Sequence, residues 1–201
     1  SWKAQPTVNG WTYGDASTVN KGTPEFGNVT VEYFQNNKSL GSTAPKNAGD
    51  YQAVFTVEET VNYTGLREYV NFTISQKELT VTAQDKNVTY GDAAPTYTAA
   101  YNGFVEGEDK EVLTGTLTFT CDYVPGKGVN SYGITPSGLE SSNYKIVYQT
   151  GTLTVVPREI GIQWSDTDLV YNGRFQAPVA TATNVYDKDV LTLEVYGRRV
   201  E

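Results

Sequence analysis

The sequence predicts a mainly β protein, built as tandem small antiparallel modules in a rod, with two complete modules and part of a third. Three observations predict it. Runs such as Leu79-Thr80-Val81-Thr82 and Leu153-Thr154-Val155-Val156 carry the branched side chains that pack well on a pleated surface. Tyr-Gly-Asp and Asn-Gly turn signals punctuate those runs. The same landmarks also recur in the same order along the chain. An Ig-like sandwich of roughly five to seven short strands is the preferred fold for each module. A β-grasp-like α+β module is the alternative, because Gly107-Glu-Asp-Lys-Glu-Val-Leu113 reads as one short helical turn between strands.

The first module, residues 1–76, turns at Trp11-Thr12-Tyr13-Gly14-Asp15 and then alternates through Val29-Thr-Val-Glu-Tyr33-Phe34. A turn at Asn36-Asn37-Lys38-Ser39 follows, then a strand Gln52-Ala-Val-Phe-Thr-Val57. After the Asn62-Tyr63 turn, Tyr69-Val-Asn-Phe-Thr-Ile74 closes the module. The second module, residues 77–157, repeats these landmarks at Thr89-Tyr90-Gly91-Asp92, Leu117-Thr-Phe-Thr-Cys121, Tyr132, Asn143-Tyr144 and Gly151-Thr-Leu-Thr-Val155. Tyr13 and Tyr90 are 77 residues apart, whereas Tyr51 and Tyr132, Tyr63 and Tyr144, and Ile74 and Val155 are each 81 apart. A constant offset at three landmarks marks a true repeat, with a net gain of four residues in the second copy.

The third, partial module, residues 158–201, opens at Arg158-Glu-Ile-Gly-Ile-Gln-Trp164 and turns at Val170-Tyr171-Asn172-Gly173. Its Asp187-Lys-Asp-Val-Leu191 matches Asp109-Lys-Glu-Val-Leu113. About half a module is missing, which leaves strand edges to be paired with a neighbour. The junctions around Gln76 and Pro157 lack the Gly/Ser composition of flexible linkers, so neighbouring repeats are expected to pack directly.

Composition excludes several function classes. Fifteen basic against 23 acidic residues give a net charge of −8, with no basic cluster to replace the counterions of a phosphate backbone, so nucleic acid is not an expected partner. There is no histidine, which removes the usual general base and neutral metal ligand. Cys121 is the sole cysteine, so no intrachain disulfide forms and a buried inert thiol is expected. No apolar run approaches the roughly 18 residues of a membrane span. No methionine and no leader are present, so a piece cut from a longer chain, or a processed start, is expected.

Candidate binding residues each have a plainer reading. Tyr13, Tyr90 and Tyr171 are conceivable sugar-stacking platforms, but a fold-specific turn explains their recurrence without a ligand. Trp164, in an alternating strand, is expected in the core, and Trp2 and Trp11 partly exposed. Asp15, Asp50, Asp92 and Asp122 lack the D-x-D-x-D-G spacing of a calcium loop. Five sequons, at Asn28, Asn37, Asn62, Asn71 and Asn87, are what an Asn- and Thr-rich chain yields by chance. A lysine–asparagine isopeptide crosslink would need a buried carboxyl neighbour. No catalytic, cofactor-binding or metal-ligating residue is assigned.

L-T-V-T-A-x-D-K-x-V-T-Y-G-D-A-A-P, Y-x-G-F-V-x-G-E-D, V-L-T-G, Y-x-I-T-P-S-G-L-x-S-S-N-Y-x-I and G-T-L-T-V, over about residues 78–157, resemble the bacterial MBG repeat of the YGX type. The resemblance implies tandem repeats in large secreted or cell-surface bacterial proteins, often of adhesin-like architecture, with no catalytic residues. The expected function is a non-enzymatic extracellular stalk or spacer with an adhesion role, partnered by neighbouring repeats. The alternative is a carbohydrate-binding module, motivated by the 12% aromatic content, with a host or cell-wall glycan or protein as ligand.

Overall fold

The structure is a computed structural model, and it describes residues 1–170, 173–174 and 176–195. Strands dominate. The helical turn expected between 107 and 113 is a single 3-10 turn, Lys110–Val112, whose N-cap Asp109 accepts a hydrogen bond from the Glu111 N–H. The chain forms two compact units. One comprises 1–81, 100–118 and 137–149; the other comprises 82–99, 119–136 and the described residues from 150 onward. The second repeat therefore contributes residues to both.

In the first unit a five-stranded sheet runs in the order Trp11–Thr12, Leu66–Ser75, Gly49–Val57, Val29–Gln35, Lys38–Gly41. Gly49–Val57 shows why alternation reads so clearly here: Tyr51, Ala53, Phe55 and Val57 are all buried, and the residues between them are not. The first three pack with Val31, Tyr33, Phe72 and Ile74, and the short strand pair Thr7–Val8 with Val19–Asn20 brings Val8 onto the same core. The hairpin between Val29–Gln35 and Lys38–Gly41 turns on Asn36 and Asn37, with φ of 50° and 63°. Two consecutive left-handed residues match the twist of the flanking strands. The first repeat holds nine strands rather than five to seven, because five of them are edge ribbons of two or three residues.

The second repeat has seven strands. Lys77–Ala83 lies between Ala99–Asn102 and Tyr144–Gln149, and a four-stranded sheet runs Lys86–Thr89, Gly151–Val156, Ser131–Glu140, Thr114–Thr120. In the second unit Ala83, Val88, Tyr123, Ile134, Leu153 and Val155 form the buried cluster. Cys121 is half-buried and packs against it, as Tyr97 does. Much of the pairing is antiparallel, and each complete repeat also contains parallel pairing. Trp11–Thr12 pairs with the end of Leu66–Ser75, and Lys86–Thr89 pairs with Gly151–Val156.

Equivalent hydrogen bonds refine the register of the repeat. Thr30 Oγ1 donates to the Thr56 carbonyl and Thr118 Oγ1 to the Ser137 carbonyl, so Thr118 is the counterpart of Thr30, 88 residues on. The net gain of four residues thus conceals a gain of eleven (88 − 77) before this point and a loss of seven (88 − 81) after it. The gain brings in the Gly103-Phe-Val-Glu-Gly-Glu108 loop, and the loss removes the Asn36-Asn37 hairpin.

Trp164 departs from expectation: it is 51% exposed. Among the described residues its strand Gly161–Ser165 pairs only with Val179–Thr183, in a two-stranded sheet, and all five of its residues are exposed. Alternation creates an apolar face, but no second layer covers that face among the described residues. Trp2 and Trp11 are half-buried against the first core, with Trp11 stacked on Phe72 at 5.2 Å.

Candidate functional site

The residues that recur most strictly meet at the joints between repeats. In the first unit, Trp11–Thr12 runs parallel to the end of Leu66–Ser75, and the Tyr13 N–H continues the ladder by donating to the Ser75 carbonyl at 2.8 Å. The Asp15 N–H then closes the turn on the Thr12 carbonyl at 2.9 Å. Gly14 sits at φ +87°, where a side chain is strained. This turn aims the Tyr13 phenol at the second repeat.

Glu108 receives it. Tyr13 Oη donates to Glu108 Oε1, and Tyr144 Oη donates to Glu108 Oε2. The Val105 N–H donates in turn to Tyr144 Oη at 2.8 Å. The two rings meet edge to face at 5.3 Å, and the Val105 side chain lies directly over Gly14. A tight turn, with the Glu108 N–H bonded to the Val105 carbonyl at 3.0 Å, sets the spacing of that loop. Asn143 adds a second tie. Its Oδ1 accepts from the Ala48 N–H at 3.0 Å, its carbonyl from the Lys77 N–H at 3.0 Å, and its Nδ2 donates to Asn47 Oδ1 at 3.3 Å.

The second unit builds the same joint with different side chains. The Tyr90 N–H donates to the Val156 carbonyl at 2.8 Å, the Asp92 N–H to the Thr89 carbonyl at 3.0 Å, and Gly91 has φ +86°. Tyr90 Oη donates to Asp189 Oδ1 at 3.0 Å, and the Tyr186 ring covers Gly91 where Val105 covers Gly14. Arg158 fastens this turn through Nε to the Tyr90 carbonyl at 2.8 Å and through an ion pair with Asp92. The Asp189 N–H bonds the Tyr186 carbonyl at 2.8 Å, as Glu108 bonds Val105. This aligns residues 186–189 with 105–108 at an offset of 81, three residues away from the Asp187–Asp109 match that the sequence alone offers.

Electrostatics follow from this geometry. Burial first, and then the hydrogen bond to Glu108, push the Tyr144 phenol up to about 12. For Tyr13 the bond to Glu108 is the larger cause of an upward shift, and for Tyr90 it is the bond to Asp189. In the second core, burial and then the Cys121 hydrogen bond raise Tyr97 to about 12. An unfolded tyrosine releases its proton near 10.0, so between that pH and about 12 the folded chain holds more protons than the unfolded one. Stability present below pH 10 is therefore lost as pH rises through this window. A melting temperature that stays flat across it would contradict these placements.

The sequence-predicted candidates fall into place around the joints. Tyr13 and Tyr90 have their hydroxyls bonded and their rings against Tyr144 and Tyr186, so they serve as joint residues rather than open platforms. Tyr171 lies outside the described residues. Asp15 belongs to the first turn, Asp92 pairs with Arg158, and Asp50 accepts from Thr73 Oγ1 at 2.6 Å. Asp122 supplies only its carbonyl, to Lys127 Nζ at 2.8 Å. Among the described residues no cluster of three Asp, Glu or Cys could hold a metal, and no charged or polar residue is buried, so an isopeptide crosslink lacks its buried carboxyl. No helix among them is long and apolar enough to cross a membrane.

Glu108 and Asp189 escaped the sequence reading. A signal did exist: each is an acid at a matched distance from a Tyr-Gly-Asp turn, 95 residues in one case and 99 in the other, and the difference equals the net insertion of four. A search of curated proteins finds no match to the chain. Residues 79–154, which carry the second Tyr-Gly-Asp turn, Glu108 and Tyr144, match the family model described as the MBG domain (YGX type), the family that the motifs of this segment resemble.

Proposed function

We propose that the chain is a non-enzymatic stalk or spacer region of a secreted or surface-exposed bacterial protein, whose repeats hold one another through turn-and-carboxylate joints. The observation that carries this reading is the same joint built twice: a Tyr-Gly turn, a tyrosine hydroxyl on an acid of the following repeat, and a side chain capping the glycine. Recurrence with changed side chains (Glu108 for Asp189, Val105 for Tyr186) is what a mechanical fitting requires and what a reaction site does not. A carboxylate accepting two phenols lacks the second carboxylate or the nucleophile–base pair that hydrolytic chemistry uses.

The rival reading is carbohydrate recognition, which needs open aromatic faces. Two of the three recurrent turn tyrosines are engaged, as above. A glycan-array screen of the folded chain decides between the two readings. The spacer reading expects a blank array, and a specific glycan signal lost on substitution of an exposed aromatic residue would replace it.

A further inference from the structure

The loop of the second repeat that receives the Tyr13 turn has a twin in the first repeat that receives no such turn among the described residues. The Tyr144 and Asn143 N–H groups both donate to Ser141 Oγ at 3.1 Å. The Tyr63 and Asn62 N–H groups donate in the same way to Thr60 Oγ1, at 3.1 and 3.4 Å, each 81 residues earlier. The backbone that presents Tyr144 and Asn143 to the preceding turn is thus reproduced at Tyr63 and Asn62. The surroundings differ in how far each tyrosine is covered. Tyr144 is 2% exposed beneath Tyr13 and Phe104, whereas Tyr63 is 49% exposed and stacks face to face on Phe26 at 4.2 Å, itself 54% exposed. These rings line an open cleft of about 500 Å³ with Glu25, Glu58 and Asn62.

We propose that this cleft is a socket for the Tyr-Gly-Asp turn of a further repeat of the same type, and the inference rests on the joint reading above. The polarity of both internal joints identifies the occupant. In each, the turn comes from the repeat that precedes and the socket from the repeat that follows, so the first repeat's socket takes a turn from an N-terminally adjoining repeat. Asn62 offers the carbonyl and amide that Asn143 uses at the internal joint. The cleft lacks a counterpart of the 103–108 loop, and its acids are Glu58 and Glu25, the latter ion-paired with the N-terminal amine of Ser1 at 3.4 Å, so that among the described residues Glu58 is the unpaired acceptor available to an incoming phenol. Phe26 supplies the apolar surface that Phe104 supplies to Tyr144.

The test uses the whole chain, labelled with ¹⁵N, and a synthetic peptide Trp-Thr-Tyr-Gly-Asp-Ala-Ser copied from residues 11–17. Tethered neighbours work at millimolar effective concentration, so a functional socket must bind the free turn with a dissociation constant of about 1 mM or tighter. The expected result is saturable shifts confined to the amides of 25–27 and 58–64, abolished in Tyr63→Ala and in Phe26→Ala. Both side chains are exposed, so the variants keep the fold, and their own spectra verify it. No saturable shift up to about 10 mM peptide overturns the proposal. So do shifts that persist in Tyr63→Ala, or a neutral oligosaccharide that moves the same amides while the peptide does not. Any of these leaves the internal joints untouched, because their test is a separate one on Tyr13 and Glu108.

Discussion

Tyr144→Ala is expected to destabilise the chain by about 3–5 kcal/mol, the range for emptying a large buried aromatic site. The residue is 2% exposed, its ring is shared by Tyr13 and Phe104, and its hydroxyl links the Val105 N–H to Glu108. Removing it opens a cavity and strands two polar groups at once. Tyr144→Phe separates these contributions. It keeps the ring but leaves the Val105 N–H without its acceptor and one Glu108 oxygen without its donor, at a cost of about 1–3 kcal/mol. Tyr63→Ala, in the twin loop, is expected to cost less than about 1 kcal/mol because the side chain is already half in solvent. Urea denaturation of the three variants checks the order. Equal losses for Tyr144→Ala and Tyr63→Ala would show that the joint adds nothing to the loop.

Gly14→Ala is expected to cost about 3 kcal/mol, from two separable sources. At φ +87° an L side chain is strained by about 1–2 kcal/mol. The new methyl would also lie 2.4 Å from Val105 Cγ2, inside any real contact distance. Valine is stiff at χ1 and cannot simply swing aside. Pairing Gly14→Ala with Val105→Ala should recover the packing part and leave the backbone part. The two substitutions are then strongly non-additive, as expected for residues in contact. Full additivity would mean that Val105 does not cap the glycine.

Much of the fold was legible because alternation states which residues share a face. Gln52-Ala-Val-Phe-Thr-Val57 became the buried half of Gly49–Val57, and the turn chemistry at Tyr-Gly-Asp and Asn36-Asn37 appeared where expected. Junction brevity was legible too: a single residue, Gln76, separates Leu66–Ser75 from Lys77–Ala83. What alternation cannot state is whether a second layer covers the face it creates, and this is why Trp164 lies in solvent. Register in the third repeat was misread because Asp-Lys-Asp resembles Asp-Lys-Glu, whereas the loop geometry is set by a backbone hydrogen bond that any side chain permits. The joint was half legible. The tyrosines announced themselves by recurrence, but their partners are single acids almost a hundred residues away, one of 23 in the chain. Only folding selects which of them is met.

A phenol of one repeat and a carboxylate of the next hold the two together at the first joint. A double-mutant cycle on Tyr13→Phe and Glu108→Gln, read by chemical denaturation, tests it most directly. Both substitutions preserve shape: Tyr13→Phe removes the donor, and Glu108→Gln removes the carboxylate charge, whose separate effect on the Tyr144 bond cancels in the cycle. A coupling energy of about 1–3 kcal/mol is the predicted result. A coupling near zero, with the two single losses simply adding, would contradict the account.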